Sequence, residues 1–178
     1  MEMIDGDGNS MGVMHIVEKI SEWKDAEPVR TIVSNDHPQY AGVARARFRI
    51  SVPDHPEAAL RDGAGPRRIG TEQCGGRPCA VFRVDGNSGK ATFSGKVWID
   101  ETSGLPLRVV HEFSGLPMTT ALSESITFGR SPDGTWVPES VLVDATVHML
   151  FQRLRVVSKY KFRSWIPRPA PGDASRTS

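Results

Sequence analysis

Along most of this chain, apolar and polar residues alternate with a period of two. VARARFRISV (43–52) places Ala44, Ala46, Phe48, Ile50 and Val52 on one face and Arg45, Arg47 and Arg49 on the other. Such a segment is a half-buried strand with water on its arginine side. LPLRVVHEF (105–113) puts Leu105, Leu107, Val109, His111 and Phe113 together. RLRVVSKYKFRSW (153–165) puts Leu154, Val156, Tyr160 and Phe162 on one side, against Arg153, Arg155, Lys159, Lys161 and Arg163 on the other.

Turn signals punctuate these runs. GGRP follows Cys74, DGNSG (85–89) ends CAVFRV, DETSG (100–104) separates KVWI from LPLRVV, and SPDG (131–134) separates ESITF from WVPESVLV. Each carries the Gly, Asp, Asn or Pro that turn geometry favours. Short, regular spacing of this kind predicts antiparallel strands joined mainly by hairpins. Helical signals are few. HPEAALRD (55–62) fits two turns, with Pro56 near the first helical position. GVMHIVEKISEW (12–23) fits a helical stripe through Val13, Ile16, Val17, Ile20 and Trp23, and its β-branched content also fits a strand. The turn-like DGDGN ahead of it favours the strand. The Pro-rich polar tail, 166–178, reads as disordered.

A length of 178 residues suits one domain, here 1–165, that buries a core without metals or many disulfides. The net charge of +1 gives no global signature of nucleic-acid or anionic-membrane binding. No run approaches the ~18 apolar residues of a membrane-spanning helix. The first residues are acidic and Gly-rich and lack the basic and apolar regions of a secretory signal. The two cysteines, Cys74 and Cys79 in CGGRPC, would face each other across a hairpin with a four-residue loop. Either a disulfide, which favours an extracytoplasmic address, or a pair of free thiols fits that spacing.

KVWIDETSGLPLRVVHEFSGLP (96–117) and ESITFGRSPDGTWVPESVLVDATV (124–147) resemble the LolA/LolB-like superfamily of outer-membrane lipoprotein-sorting proteins. Members have a strand ending in W-I-D, a short Gly turn, and a next strand opening on Leu-Pro. The matching residues are Trp98, Ile99, Asp100, Gly104, Leu105 and Pro106, with Asp133, Gly134, Trp136, Val137 and Pro138 around the later turn. GRPCAVFRV (76–84) also fits. The likeness covers roughly 68–165 and rests on turn-and-strand patterns. It implies a mainly β fold: a curved antiparallel sheet forming an incomplete, half-open barrel around an apolar cavity, here with few short helices. It also implies a periplasmic or cell-envelope location and a lipid or lipoprotein acyl chain as partner. The scarcity of helices and the lack of a signal segment depart from the family pattern and point to a relative of unknown ligand rather than a lipoprotein carrier in the strict sense.

Candidate chemistry is sparse. DGDGNS (5–10) spaces Asp5, Asp7 and Asn9 as a calcium loop does, but Ser10 stands where Gly is needed and Ile16 where a bidentate Glu is needed. A hairpin turn accounts for it. GNSGK (86–90) lacks phosphate-loop spacing. The five histidines make no metal pair. His111 and His148 lie in strands and are the only candidates for a hydrolase-like site. There is no nucleophile elbow. The basic face of 153–163 is what a solvated strand presents. No enzyme activity, cofactor, metal or nucleic-acid partner is therefore expected. The apolar residues Phe48, Ile50, Phe82, Val97, Ile99, Leu107, Val109, Ile126, Val143, Val147 and Tyr160 are the candidate cavity lining, or equally an ordinary core. A strongly curved sheet with few helices leaves that face to a lid, a ligand or a partner. The leading expectation is acyl-chain binding. The alternative is a structural or assembly module covered by a partner or a homodimer mate.

Overall fold

The computed structural model describes residues 1–24, 27–36, 65–88, 91–149 and 152–162. The strand expected at 43–52, the helix at 55–62 and the tail at 166–178 lie outside them. The described residues form eleven strands and no helix. They are β1 (Glu2–Ile4), β2 (Ser10–Val13), β3 (Ile16–Lys24), β4 (Glu27–Asn35), β5 (Arg67–Cys74), β6 (Arg77–Ser88), β7 (Ala91–Asp100), β8 (Pro106–Ser114), β9 (Thr119–Arg130), β10 (Trp136–Met149) and β11 (Gln152–Lys161).

Nine of them make one antiparallel sheet in the order β2-β1-β11-β10-β9-β8-β7-β6-β5. Its end strands do not pair with each other, so it is an open sheet and not a closed barrel. From β5 to β11 every strand pairs with its sequence neighbour, which is what short turn-rich connections dictate. β3 and β4 form a separate two-stranded sheet in a second compact unit. The ambiguous 12–23 segment is thus strand, interrupted between Val13 and Ile16.

The core sits on one face of the large sheet. Val84, Phe93, Val97, Val109, Ile126, Phe128, Val141 and Val143 form its buried cluster, with Ile99, Phe113, Leu122, Trp136, Tyr160 and Phe162 packed around it. Strand pairing carries these positions onto one face: Val97 opposes Val109, Val109 opposes Ile126, Ile126 opposes Val141, and Val141 opposes Tyr160. On the opposite face a smaller cluster, Cys79, Val81 and Trp98, gathers Cys74, Leu107 and Val110.

Three local expectations are corrected. Leu107 does not share a face with Val109. A bulge between Trp98 and Ile99 pairs Ile99 with Pro106, and Leu107 packs on the second cluster. The DGNSG segment does not end its strand at Asp85, because β6 stays paired with β7 through Ser88↔Ala91. The CGGRPC loop has two residues, not four. Gly75 and Gly76 have φ of 58° and 83°, as a type I′ hairpin requires, and Cys74 pairs with Arg77.

Candidate functional site

The apolar face has a polar centre. His111 on β8 lies between Gly95 on β7 and Glu124 on β9. Its Nδ1 is 3.8 Å from Glu124 Oε2, and the two side chains are 11% and 13% exposed. That distance is too long for a hydrogen bond. The other ring nitrogen, Nε2, is buried and has no hydrogen-bond partner among the described residues. Leaving such a group unsatisfied costs about 1–3 kcal/mol.

Gly95 makes the arrangement possible. A Cβ there would stand 2.6 Å from His111 Cδ2 and 2.8 Å from the Val110 carbonyl oxygen. The imidazole therefore lies where any other residue at 95 would put its side chain. Phe93 meets the ring edge-on at 5.2 Å between centroids, and Phe113 does so at 5.9 Å. One step further along the same face, Phe113 pairs with Leu122. These two residues also line an open depression of about 370 Å³, together with Glu112, Thr120, Ala121, Ser123 and Asp144. That volume falls within the range of small-molecule sites. Glu112, Ser123 and Asp144 oppose one another across β8, β9 and β10, at positions alternate to His111 and Glu124, so the depression opens mainly on the other face of the sheet and His111 does not line it.

The predicted lining residues divide as follows. Val97, Val109, Ile126 and Val143 lie in the buried cluster, and Ile99 and Tyr160 pack against it. Phe82 opposes Val97 and is half-buried. Val147 is half-buried beyond the β9 bulge at Thr120, opposite Leu154. Leu107 is on the other face, and Phe48 and Ile50 lie outside the described residues. Sequence reasoning missed Val84, Phe93, Phe128 and Val141 in the cluster. It also missed the Glu124 partner of His111. The alternation Phe93, Gly95, Val97, Ile99 was a legible signal for Phe93. His148 is exposed near the end of β10 and takes no part in the site.

The remaining motifs serve the fold. In the β1–β2 turn, Asp5 Oδ1 accepts from the backbone N–H groups of Asp7 (3.0 Å) and Asn9 (2.8 Å), and Oδ2 accepts from Asn9 Nδ2 (3.2 Å). The Asn9 backbone bond leads the effects that lower the Asp5 carboxyl below its ordinary range. Trp98 Nε1–H donates to Glu72 (2.7 Å) while Arg108 stacks over its ring at 5.1 Å. Trp136 Nε1–H donates to the Pro106 carbonyl at 2.8 Å. Both tryptophans are therefore structural anchors. Cys79 pairs with Glu72, which sets it diagonal to Cys74, and both are free thiols. Burial first, then Cys74 beside it, pushes the Cys79 thiol up to about 12, so it is an inert protonated group at neutral pH. On β11 the basic residues Arg153, Arg155, Lys159 and Lys161 are exposed, as a solvated face requires, and Arg155 pairs with Asp144. No family model, no curated protein and no solved structure matches the chain.

Proposed function

We propose that the chain is a non-enzymatic cell-envelope protein that holds an acyl chain against the apolar face of its open sheet. The observation carrying this reading is the continuity of that face. The buried cluster runs out to Phe113 and Leu122, which are only half-buried, and no helix among the described residues covers that face. Each buried methylene would contribute about 0.8 kcal/mol. The W-I-D and Leu-Pro likeness to lipoprotein-sorting proteins supports the same reading. Native mass spectrometry of gently purified protein tests it. A co-purified lipid, or uptake of diphenylhexatriene with a rise in fluorescence, is expected. A monomer that stays free of ligand and takes up no such probe rules it out.

A second reading has its own support. β5 is an edge strand, exposed from Arg67 to Gln73, with an exposed Ile69, and pairs only with β6. An edge like this can accept a strand from a second copy or another protein. A dimer in light scattering that dissociates when Gly70 is replaced by Pro would favour this assembly role.

A further inference from the structure

We infer that the polar face of the large sheet docks on the surface of an anionic phospholipid bilayer, through two adjacent cross-strand rows of cations. The inference goes beyond the acyl-chain reading, because these rows lie on the face opposite the apolar cluster. Strand register builds them. In the first row Arg67 opposes Arg83 and Arg83 opposes Lys96, and the row continues through Val110, Ser125 and Leu142 to Lys159. Two residues along each strand, Trp98, Arg108, Thr127, Ser140 and Lys161 align in the second row. Every cation in the two rows is exposed, and neither row holds a carboxylate. Like charges directly opposite on neighbouring strands destabilise a sheet, so folding alone gives no reason to gather Arg67, Arg83 and Lys96. Of the six cations, only Arg83 makes an ion pair among the described residues, with Asp85 at 2.9 Å. The acids of this face lie outside the rows. Asp144 is taken by Arg155, Glu72 accepts from Trp98, and Asp100 is buried against Arg77, which leaves Glu112 and Glu2 to offset the lysines. A net charge of +1 hides this segregation.

Two observations select a bilayer as the partner. The first row crosses from β5 to β11, about 29 Å at the usual strand spacing, so its cations meet a spread of anions and do not converge on one. Leu142, 40% exposed, stands in that row beside Lys159. An exposed aliphatic side chain among lysines suits a layer of anionic head groups with acyl chains beneath it. A single-stranded nucleic acid would call for an open aromatic ring on which to stack. Trp98, the one aromatic residue in the rows, is buried beneath Arg108.

Flotation of the full chain with vesicles tests this. Vesicles of equimolar phosphatidylglycerol and phosphatidylcholine should carry the chain at low salt, and pure phosphatidylcholine should not. Salt at about 1 M, where the screening length is about 3 Å, should release it. Lys96→Gln combined with Lys159→Gln should weaken binding about 25-fold, about fivefold for each cation. Both lysines are exposed and make no ion pair among the described residues, so this variant should fold as the wild type does, which circular dichroism checks. Arg68→Gln combined with Arg130→Gln removes the same charge from the apolar face, where Arg68 opposes Phe82 and Arg130 follows Phe128 by two residues, and should leave binding nearly unchanged. Equal losses in the two double variants would mean a response to net charge alone and overturn the inference. Equal flotation with both kinds of vesicle would mean apolar insertion and overturn it too. Failure to float with the anionic vesicles, or capture of a DNA duplex in preference to them, would also sink it, whatever the uptake of diphenylhexatriene says of the other face.

Discussion

Asp100 is almost wholly buried, yet its surroundings favour the charged form. Its Oδ1 accepts from the backbone N–H groups of Thr102 (2.8 Å) and Ser103 (3.3 Å), and Arg77 reaches its Oδ2 at 3.1 Å. The Thr102 bond is the largest influence, and with Ser103 and Arg77 it outweighs burial and holds the carboxyl below its ordinary value. A carboxyl lowered in the folded state stabilises the fold above its unfolded value, and that stability is lost as pH falls through the lowered one. Asp100→Asn should therefore lower the urea midpoint at neutral pH. The gap from the wild type should close as the pH is taken down through the acid range, measured by equilibrium unfolding at a series of pH values. Asp85, Asp133 and Asp144 are lowered as well, led by side-chain bonds from Arg83, Ser131 and Arg155 respectively, so the whole chain should lose stability in acid. The W-I-D turn was readable because this carboxylate organises it locally. The His111–Glu124 pair was not readable, because its partners lie on different strands and meet only through register.

Strands and turns show the same division. The alternation of 153–162 predicted β11 correctly down to its faces, because no bulge interrupts its pairing with β10. Leu107 was misplaced because one bulge reverses every position before it. The CGGRPC hairpin was legible as a turn, but its length depended on whether both glycines adopt positive φ. That dependence is testable. Gly76→Val should cost about 1–2 kcal/mol, since a β-branched side chain is strained at φ of 83°, whereas Gly75→Asn should be nearly neutral. Thermal and urea unfolding of the two variants side by side would check the contrast. Pro138 is the third residue of β10. It is accommodated at the bulge between Pro138 and Ser140, where the ladder is already broken.

At the scale of the molecule, the open sheet was legible from the repeated strands and turns, whereas the separate β3–β4 unit was not, because a two-stranded ribbon has the same alternation as a strand of the main sheet. The two differ in how they are held. Among the described residues β3 and β4 pair only with each other, and a two-stranded ribbon is marginally stable, while β7 to β10 have neighbours on both sides and a buried face. Amide hydrogen exchange should be faster in β3 and β4 than in β7–β10 by about two orders of magnitude or more, read peptide by peptide by mass spectrometry. Equal protection would mean that the hairpin is held by contacts as strong as those of the sheet. The order of the strands also sets a timetable. β5 to β11 meet their partners in the order in which a ribosome delivers them, but β1 pairs with β11, Glu2 opposite Val157. β1 is thus made before every other described strand, yet the strand that holds it in the sheet, β11, is the last of them. β1 has only its own hairpin with β2 for company until β11 has been made.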